Sequence, residues 1–531
     1  FSPHNPKKLY TAGNHLFATE NEGASWTKLS PDLTTDDKSK QKSSGGPITQ
    51  DNTSVEYYCT IFTAAESPLE KDLLWTGSDD GIISVSKDGG ANWKNVTPKD
   101  APKWMMWNRV EVDPLRKGTA YFAGTRYKLD DFTPYIYKTN DYGETWEKIT
   151  NGIDPLHFTR SIVASTKKAG VLFAGTEYGL YLSVNDGKSW EPFQLNLPLT
   201  PITDLLIRDN NLIVGTQGRS IYILDDISLI EQFQTVNGNK VFPVANTYRV
   251  PPQTGGRRRR ASGAIPANVG FNPMKGAVVK YYLANVDDST KVEIKILDDQ
   301  QKEIRTYSSK DKEGPATEKG FNQFAWNLYH KELEQPEAGF ILWNGSTSPV
   351  LAAPGKYTAN ITIDKQLVSY PFEIIADPNF KVSNADLKEQ EQFLLQVAGS
   401  FKEIMNTLKG AKEIKSQIAV IQKKTKDSTF IASAKAVNDM LTKIEEALHQ
   451  TKAKSGQDVL NFPIRLDDKI AGVFESAAAG YVAPTKQVKE TYLELKQQVD
   501  EQLKKFETIK KENVKALNDK VHQLSIPIIG N

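Results

Sequence analysis

The stretch Ser86-Lys87-Asp88-Gly89-Gly90-Ala91-Asn92-Trp93 recurs in outline three more times. The other copies are Thr19-x-Asn21-x-Gly23-x-Ser25-Trp26, Thr139-x-Asp141-x-Gly143-x-Thr145-Trp146 and Ser183-x-Asn185-x-Gly187-x-Ser189-Trp190. A hydroxyl, an Asp or Asn, a Gly and a Trp keep their places each time. The short polar side chains can bond the backbone of their own turn, and the Gly permits a sharp one. The Trp offers a large apolar face for packing between sheets. Asp88, Asp141, Asn21, Asn185, Trp26, Trp93, Trp146 and Trp190 therefore read as scaffold. Asn in two copies keeps the turn bonds but drops a charge that a carboxylate catalyst would need. Too few oxygen ligands alternate along the turn for a Ca²⁺ site.

Apolar runs with a Gly precede each copy: Leu9-Tyr10-Thr11-Ala12-Gly13, Leu74-Trp75-Thr76-Gly77, Tyr121-Phe122-Ala123-Gly124 and Leu172-Phe173-Ala174-Gly175. A fifth, Leu212-Ile213-Val214-Gly215, leads into Ile221-Tyr222-Ile223-Leu224 without the motif. Alternating strands at a repeat of roughly 45–65 residues imply four-stranded units, A to D from the inside out. Arg109-Val110-Glu111-Val112 is an A strand, the Leu-Phe-Ala-Gly type is B, and the motif turns C into D.

The motif resembles the BNR or Asp-box hairpin of sialidase-like and sortilin-like β-propellers. With Arg126-Tyr127-Lys128-Leu129-Asp130-Asp131, Gly218-Arg219-Ser220-Ile221 and Asn461-Phe462-Pro463-Ile464, the chain resembles the C-terminal half of large bacterial BNR-repeat proteins. These have VPS10-type propellers, are common in Bacteroidetes, and are often labelled glycosyl hydrolase on fold likeness. The resemblance implies an exported protein of the periplasm, outer-membrane surface or extracellular space.

Four regions follow: propeller blades over 1–235, a linker over 236–270, a β-sandwich of immunoglobulin or fibronectin type over 271–376, and a helical bundle or hairpin over 377–531. Pro251-Pro252, Gly255-Gly256 and Arg257-Arg258-Arg259-Arg260 mark the linker, the arginines reading as solvated. Helical runs are expected to Lys409, over 411–424 and 428–452, near 466–479, and from Thr485 to about residue 523. The class is multidomain, mainly β and then α. About five blades fit, and Phe1 to Lys8 read as the middle of a connection. An open ring leaves an unpaired edge, so a preceding part of the same polypeptide, or another chain, is expected to complete it.

Composition narrows the partners. In 531 residues, 66 Lys+Arg balance 65 Asp+Glu, so no global field favours nucleic acid or an anionic membrane. No run of 18 apolar residues exists to span a bilayer. The one cysteine, Cys59, reads as a small buried hydrophobe.

Motif turns face one end of a propeller; D–A entries and B–C loops face the other. That second end collects the ligand-binding candidates Arg109, Arg126, Tyr127, Lys128, Arg160, Glu177, Arg219 and Trp107. Guanidinium, carboxylate and aromatic groups together suit peptide or sugar recognition, or else a ring of ion pairs between neighbouring blades. Hydrolysis of a glycoside would require two acids at a set separation. Asp79, Asp80, Asp130, Asp131 and Glu56 are the available ones. No Walker loop, HExxH or Cys/His cluster exists, so neither cofactor nor metal is expected. The sequence thus favours a non-catalytic, exported interaction protein with a protein or peptide partner, or a glycan, in a cell-envelope or secretion-related assembly. The rival is a BNR-propeller glycoside hydrolase.

Overall fold

The computed structural model describes residues 1–51, 57–232, 238–250, 274–331, 342–343, 349–455 and 457–524. Glu56 and Arg257–Arg260 lie outside them. The chain forms two compact units, Phe1–Thr235 and Val236–Asn531.

Among the described residues, the first unit is a propeller-like fan of five antiparallel sheets. They are β1 (Leu9–Ala12), β2 (Leu16–Thr19) and β3 (Thr27–Lys28); then β4 (Ile61–Glu66), β5 (Leu74–Ser78), β6 (Ile83–Ser86) and β7 (Lys94–Asn95). Next come β8 (Met106–Val112), β9 (Ala120–Arg126), β10 (Asp131–Thr139) and β11 (Glu147–Lys148), then β12 (Thr159–Ala164), β13 (Leu172–Thr176), β14 (Gly179–Ser183) and β15 (Glu191–Pro192). The fifth is β16 (Ile202–Arg208), β17 (Asn211–Thr216) and β18 (Ile221–Leu224), followed by helix α1 (Ser228–Gln232). Strands β4, β8, β12 and β16 lie side by side in turn. Each apolar core sits between two consecutive sheets; Trp75 and Val85 of one meet Trp107 and Phe122 of the next.

The repeated motif is the turn before the outermost strand. Asp88 accepts bonds from Ser86 Oγ at 2.8 Å and Asn92 N at 2.9 Å, and Asp141 accepts Thr145 N at 2.9 Å. In the Asn copies the freed amide donates instead, Asn21 to Ser25 Oγ at 2.9 Å and Asn185 to Ser189 Oγ at 2.8 Å. The Gly is left-handed in all four, with φ of 88°, 102°, 84° and 83° at Gly23, Gly90, Gly143 and Gly187. Each later Trp then staples its sheet to the one before. Trp93, Trp146 and Trp190 donate their indole N–H to Leu29 O, Val96 O and Ile149 O at 3.0, 2.6 and 2.7 Å. Trp26, in the first sheet, is 42% exposed.

The second unit joins a two-sheet β region to helices. Strands β19 (Lys240–Val241), β21 (Ala277–Leu283) and β24 (Gly320–Trp326) form one sheet. The other holds β20 (Thr247–Arg249), β22 (Val292–Leu297), β23 (Glu303–Ser308), β25 (Gly355–Ile363) and β26 (Gln366–Ala376). Alternate residues of both, such as Val279, Tyr281, Ile294 and Ile361, fill a shared core. Part of the stretch read as linker is therefore strand: β19 pairs with β21, and β20 runs parallel to β26.

Helices α2 (Asn384–Gln422), α3 (Ser428–Leu448), α4 (Leu466–Ala478), α5 (Lys486–Thr508) and α6 (Lys515–Gln523) share one apolar core. Ser383 caps α2 through a reciprocal bond with Asp386, and Asp427 caps α3. The expected break after Lys409 is absent. The missing side chain of Gly410 makes room for the Phe506 ring, which would lie 3.0 Å from an added Cβ. That glycine serves a close approach and stops nothing.

Candidate functional site

The first-to-second strand ladder of four sheets carries a one-residue bulge near one end. The extra residues are Phe62, Asn108, Arg160 and Thr203. Bulges bend a strand and re-aim a side chain, and they gather at rims. The same end is tied together by backbone bonds from the B–C loops of the second, fourth and fifth sheets to the strand entry beside each. Asp79 N, Glu177 N and Gln217 N donate to Thr60 O, Phe158 O and Pro201 O at 2.9, 3.0 and 2.9 Å.

Tyr127, Arg160 and Glu177 come together here. Arg160 Nε donates to Glu177 Oε2 at 2.5 Å, and its guanidinium lies 5.4 Å from the Tyr127 ring and 5.1 Å from Phe158. Those two rings stack at 5.2 Å, Phe132 stands 6.0 Å from Phe158, and Tyr178 stacks on His157 at 4.8 Å. Arg126 pairs with Asp131 at 2.6 Å and donates to Lys103 O at 3.1 Å. Lys128 lies over Tyr58 at 5.8 Å. Arg219 is exposed on the loop of the fifth sheet. Arg109 reaches Asp204 at 3.1 Å, bridging the third and fifth sheets.

Trp107 is not among them. It is 0% exposed, inside β8, and packs edge-on against Phe122 and Tyr137 at 5.9 and 5.8 Å. Its place beside the strand entry suggested a loop residue; the strand begins one residue earlier and turns the indole into the inter-sheet core.

The acids at this end are held by their own surroundings. Asp79 is buried and accepts Thr60 N at 2.8 Å, and burial pushes its carboxyl above the usual range. Asp80 accepts Thr35 N and Oγ1 at 2.7 Å each, and also the Ser78 hydroxyl. Asp130 is an exposed turn residue with φ of 56°. At Asp131 burial is outweighed by bonds from Tyr135, Thr133 and Arg126, which hold it below the usual range. Cys59 is buried, which pushes its thiol up and away from nucleophilic use. Among the described residues, no group of three His, Cys, Asp or Glu could hold a metal, and no helix is long and apolar enough to cross a membrane.

Glu111 was overlooked, although a charged residue inside the Arg109–Val112 run was its signal. It lines a cavity of about 340 Å³ along the inner strands, with Glu66 and Arg109. Its carboxylate accepts Ala164 N at 3.2 Å and lies 4.0 Å from Arg109. Burial, only partly countered by Arg109, pushes its pKa up to about 7. A carboxyl with a raised folded pKa favours the fold while protonated, and that stability fades as pH rises from about 4.5 through 7. Glu111→Gln is expected to remove this decline and, above pH 7, to gain about 3 kcal/mol over the parent in urea denaturation. Parallel stability–pH curves for the two proteins would contradict it.

No family profile matches the chain. A local likeness links it to an oligoxyloglucan-reducing end-specific xyloglucanase of Emericella nidulans, 33% identical over 87 residues. That match takes in 16% of this chain, which spans about a tenth of the relative's length (10%). Among solved structures, a GH74 xyloglucanase from Xanthomonas campestris aligns over 69% of this chain and 57% of its own, with 14% identity and a TM-score of 0.32. A YCF48 structure bound to D1 peptide aligns over 41% of this chain and 60% of its own, with 16% identity and a TM-score of 0.27.

Proposed function

We propose that the first unit is a non-catalytic recognition module that grips a peptide or protein segment across its bulged loop end. The observation that carries this is the state of the acids. Asp79, Asp80 and Asp131 are each committed to bonds within the fold, while Phe62, Phe132 and Tyr178 stand exposed, and the Arg160 guanidinium and the Lys128 ammonium lie over the Phe158 and Tyr58 rings. Exposed aromatic faces next to guanidinium and ammonium groups suit a peptide with acidic and apolar residues. On this reading the motif turns mark sortilin-like BNR blades over 1–235. An immunoglobulin-type sandwich over 271–376 and the helices over 377–531 attach the module to an envelope or secretion-related assembly, and the protein is exported. The proposed ligand-binding set is Arg109, Arg126, Tyr127, Lys128, Arg160, Glu177 and Arg219, joined by the exposed rings of Phe62, Phe132 and Tyr178.

A second reading, glycoside hydrolysis, is favoured by the local likeness to a xyloglucanase. Full-length protein on peptide and glycan arrays separates the two. Peptide binding is expected to weaken about tenfold, or about 1.4 kcal/mol, in each of Phe62→Ala, Arg160→Ala and Tyr178→Ala. Release of reducing sugar from xyloglucan oligosaccharides, lost in Asp79→Asn or Asp131→Asn, would instead establish the hydrolase.

A further inference from the structure

The second unit contains a buried cation with no ion-pair partner among the described residues. Arg249, the last residue of β20, is 2% exposed. Its Nε donates to Ala352 O at 2.9 Å and one terminal nitrogen to Gln390 Oε1 at 3.3 Å. The other terminal nitrogen, Nη1, is buried and has no hydrogen-bond partner. No carboxylate pairs with this guanidinium among the described residues. On α2, Glu391, next to Gln390 in the chain, is already engaged by His330 and Lys388 at 2.8 Å each. The C-terminal carbonyls of α4 could have offset the charge, yet Gln390 Nε2 occupies Ala477 O and Gly480 O at 2.9 and 2.6 Å. Tyr481 completes the clamp, its ring 4.8 Å from the guanidinium and its hydroxyl donating to Arg249 O at 2.6 Å.

Arg249 lines a cavity of about 450 Å³ whose walls include Leu351, Leu394, Phe474 and Ala478, with the exposed Glu475 as its one acidic lining residue among the described ones. A guanidinium cannot shed its proton in a protein, so an unpaired one in a largely apolar pocket destabilises the fold until an anion arrives. The cavity is within the usual size range for small-molecule sites, which pair apolar walls with a few placed polar groups. One free guanidinium nitrogen, with no second cation among the described lining residues and the exposed Glu475 carboxylate already on the lining, matches at most a single negative charge. A dianion such as phosphate would stay half-neutralised.

We propose that this cavity binds a small monocarboxylate with an apolar tail, its carboxylate on Arg249 Nη1 and its tail among Leu351, Leu394 and Phe474. The site is independent of the recognition face on the first unit.

Calorimetric titration of the full chain with 3-phenylpropionate and hexanoate tests it, against 3-phenylpropan-1-ol, hexan-1-ol and inorganic phosphate. The carboxylates are expected to bind at least about tenfold more tightly than the matched alcohols, and phosphate more weakly than either acid. Arg249→Met should abolish that preference. Ala478→Trp fills the tail region while leaving Arg249 in place, and should abolish binding in a protein whose far-UV circular dichroism and melting are those of the parent. This variant decides the matter should Arg249→Met fail to fold. Equal affinity for acid and alcohol, no binding of either, tighter binding of phosphate, or carboxylate binding that survives Ala478→Trp would each overturn the proposal.

Discussion

Trp107→Ala is expected to lower the stability of the first unit by about 3–5 kcal/mol, with its loop end otherwise unaltered. The indole is fully buried between the second and third sheets. The contact is close: a Cβ added to Gly77 would lie 2.7 Å from Trp107 Cβ. With the Phe122 and Tyr137 rings edge-on at 5.9 and 5.8 Å, the walls have no smaller partner to collapse onto. The indole N–H has no hydrogen-bond partner. Trp107→Phe therefore forfeits packing alone and is expected to cost about 1–2 kcal/mol. Urea denaturation followed by near-UV circular dichroism checks both. A ligand-contacting indole would give the opposite pattern: unchanged stability in Trp107→Ala and weakened binding.

Trp107 also shows where sequence reading stops. The four motif turns are legible because their bonds are local; Asp88 reaches Ser86 and Asn92, and the Gly two residues on must be left-handed. Strand order follows from the same turns and from the Gly-bearing apolar runs. Whether a side chain points to the rim or into an inter-sheet core depends on a neighbouring sheet. For Trp107 that neighbour is Trp75 and Val85, which nothing adjacent in sequence announces.

The other differences have the same origin. Strand β20 is three residues long and exists by pairing with β26, far along the chain. Gly410 resembles a helix stop until Phe506 of α5 is seen to occupy the space above it. The ligand candidates fare unevenly for this reason. Tyr127, Arg160 and Glu177 converge through ring stacking and a cation–π contact that cross from the third sheet to the fourth, and a short ion pair within the fourth. Arg249 carried no signal at all, because its significance is a missing partner, and only a folded structure displays that.

Asp186→Asn is expected to cost about 3 kcal/mol, chiefly by stranding a buried cation. Asp186 sits between Asn185 and Gly187 in the last motif turn, with φ of 66°, a conformation that Asn also tolerates. Its carboxylate accepts two bonds from Arg116 at 2.8 Å each, one from Lys138 at 2.5 Å and one from the Tyr121 hydroxyl at 3.0 Å. Arg116 also pairs with Asp113 at 2.7 Å, so two cations face two carboxylates across the third and fourth sheets. Lys138 is buried and has Asp186 as its ion-pair partner. Adding Lys138→Met to Asp186→Asn should recover much of the loss, a coupling that a double-mutant cycle reads directly. The pH dependence gives an independent check. Burial raises the Asp186 pKa, but the bonds from Arg116 and Lys138 outweigh it and hold the group at about 2 against an ordinary 3.8. A depressed folded pKa contributes stability that is complete above the unfolded value and is lost as pH falls through the folded one. The parent's advantage over Asp186→Asn should hold constant above about pH 4 and shrink by about 2 kcal/mol between pH 4 and 2. An advantage that does not change across that window would mean that the Asp186 charge does not join the two sheets.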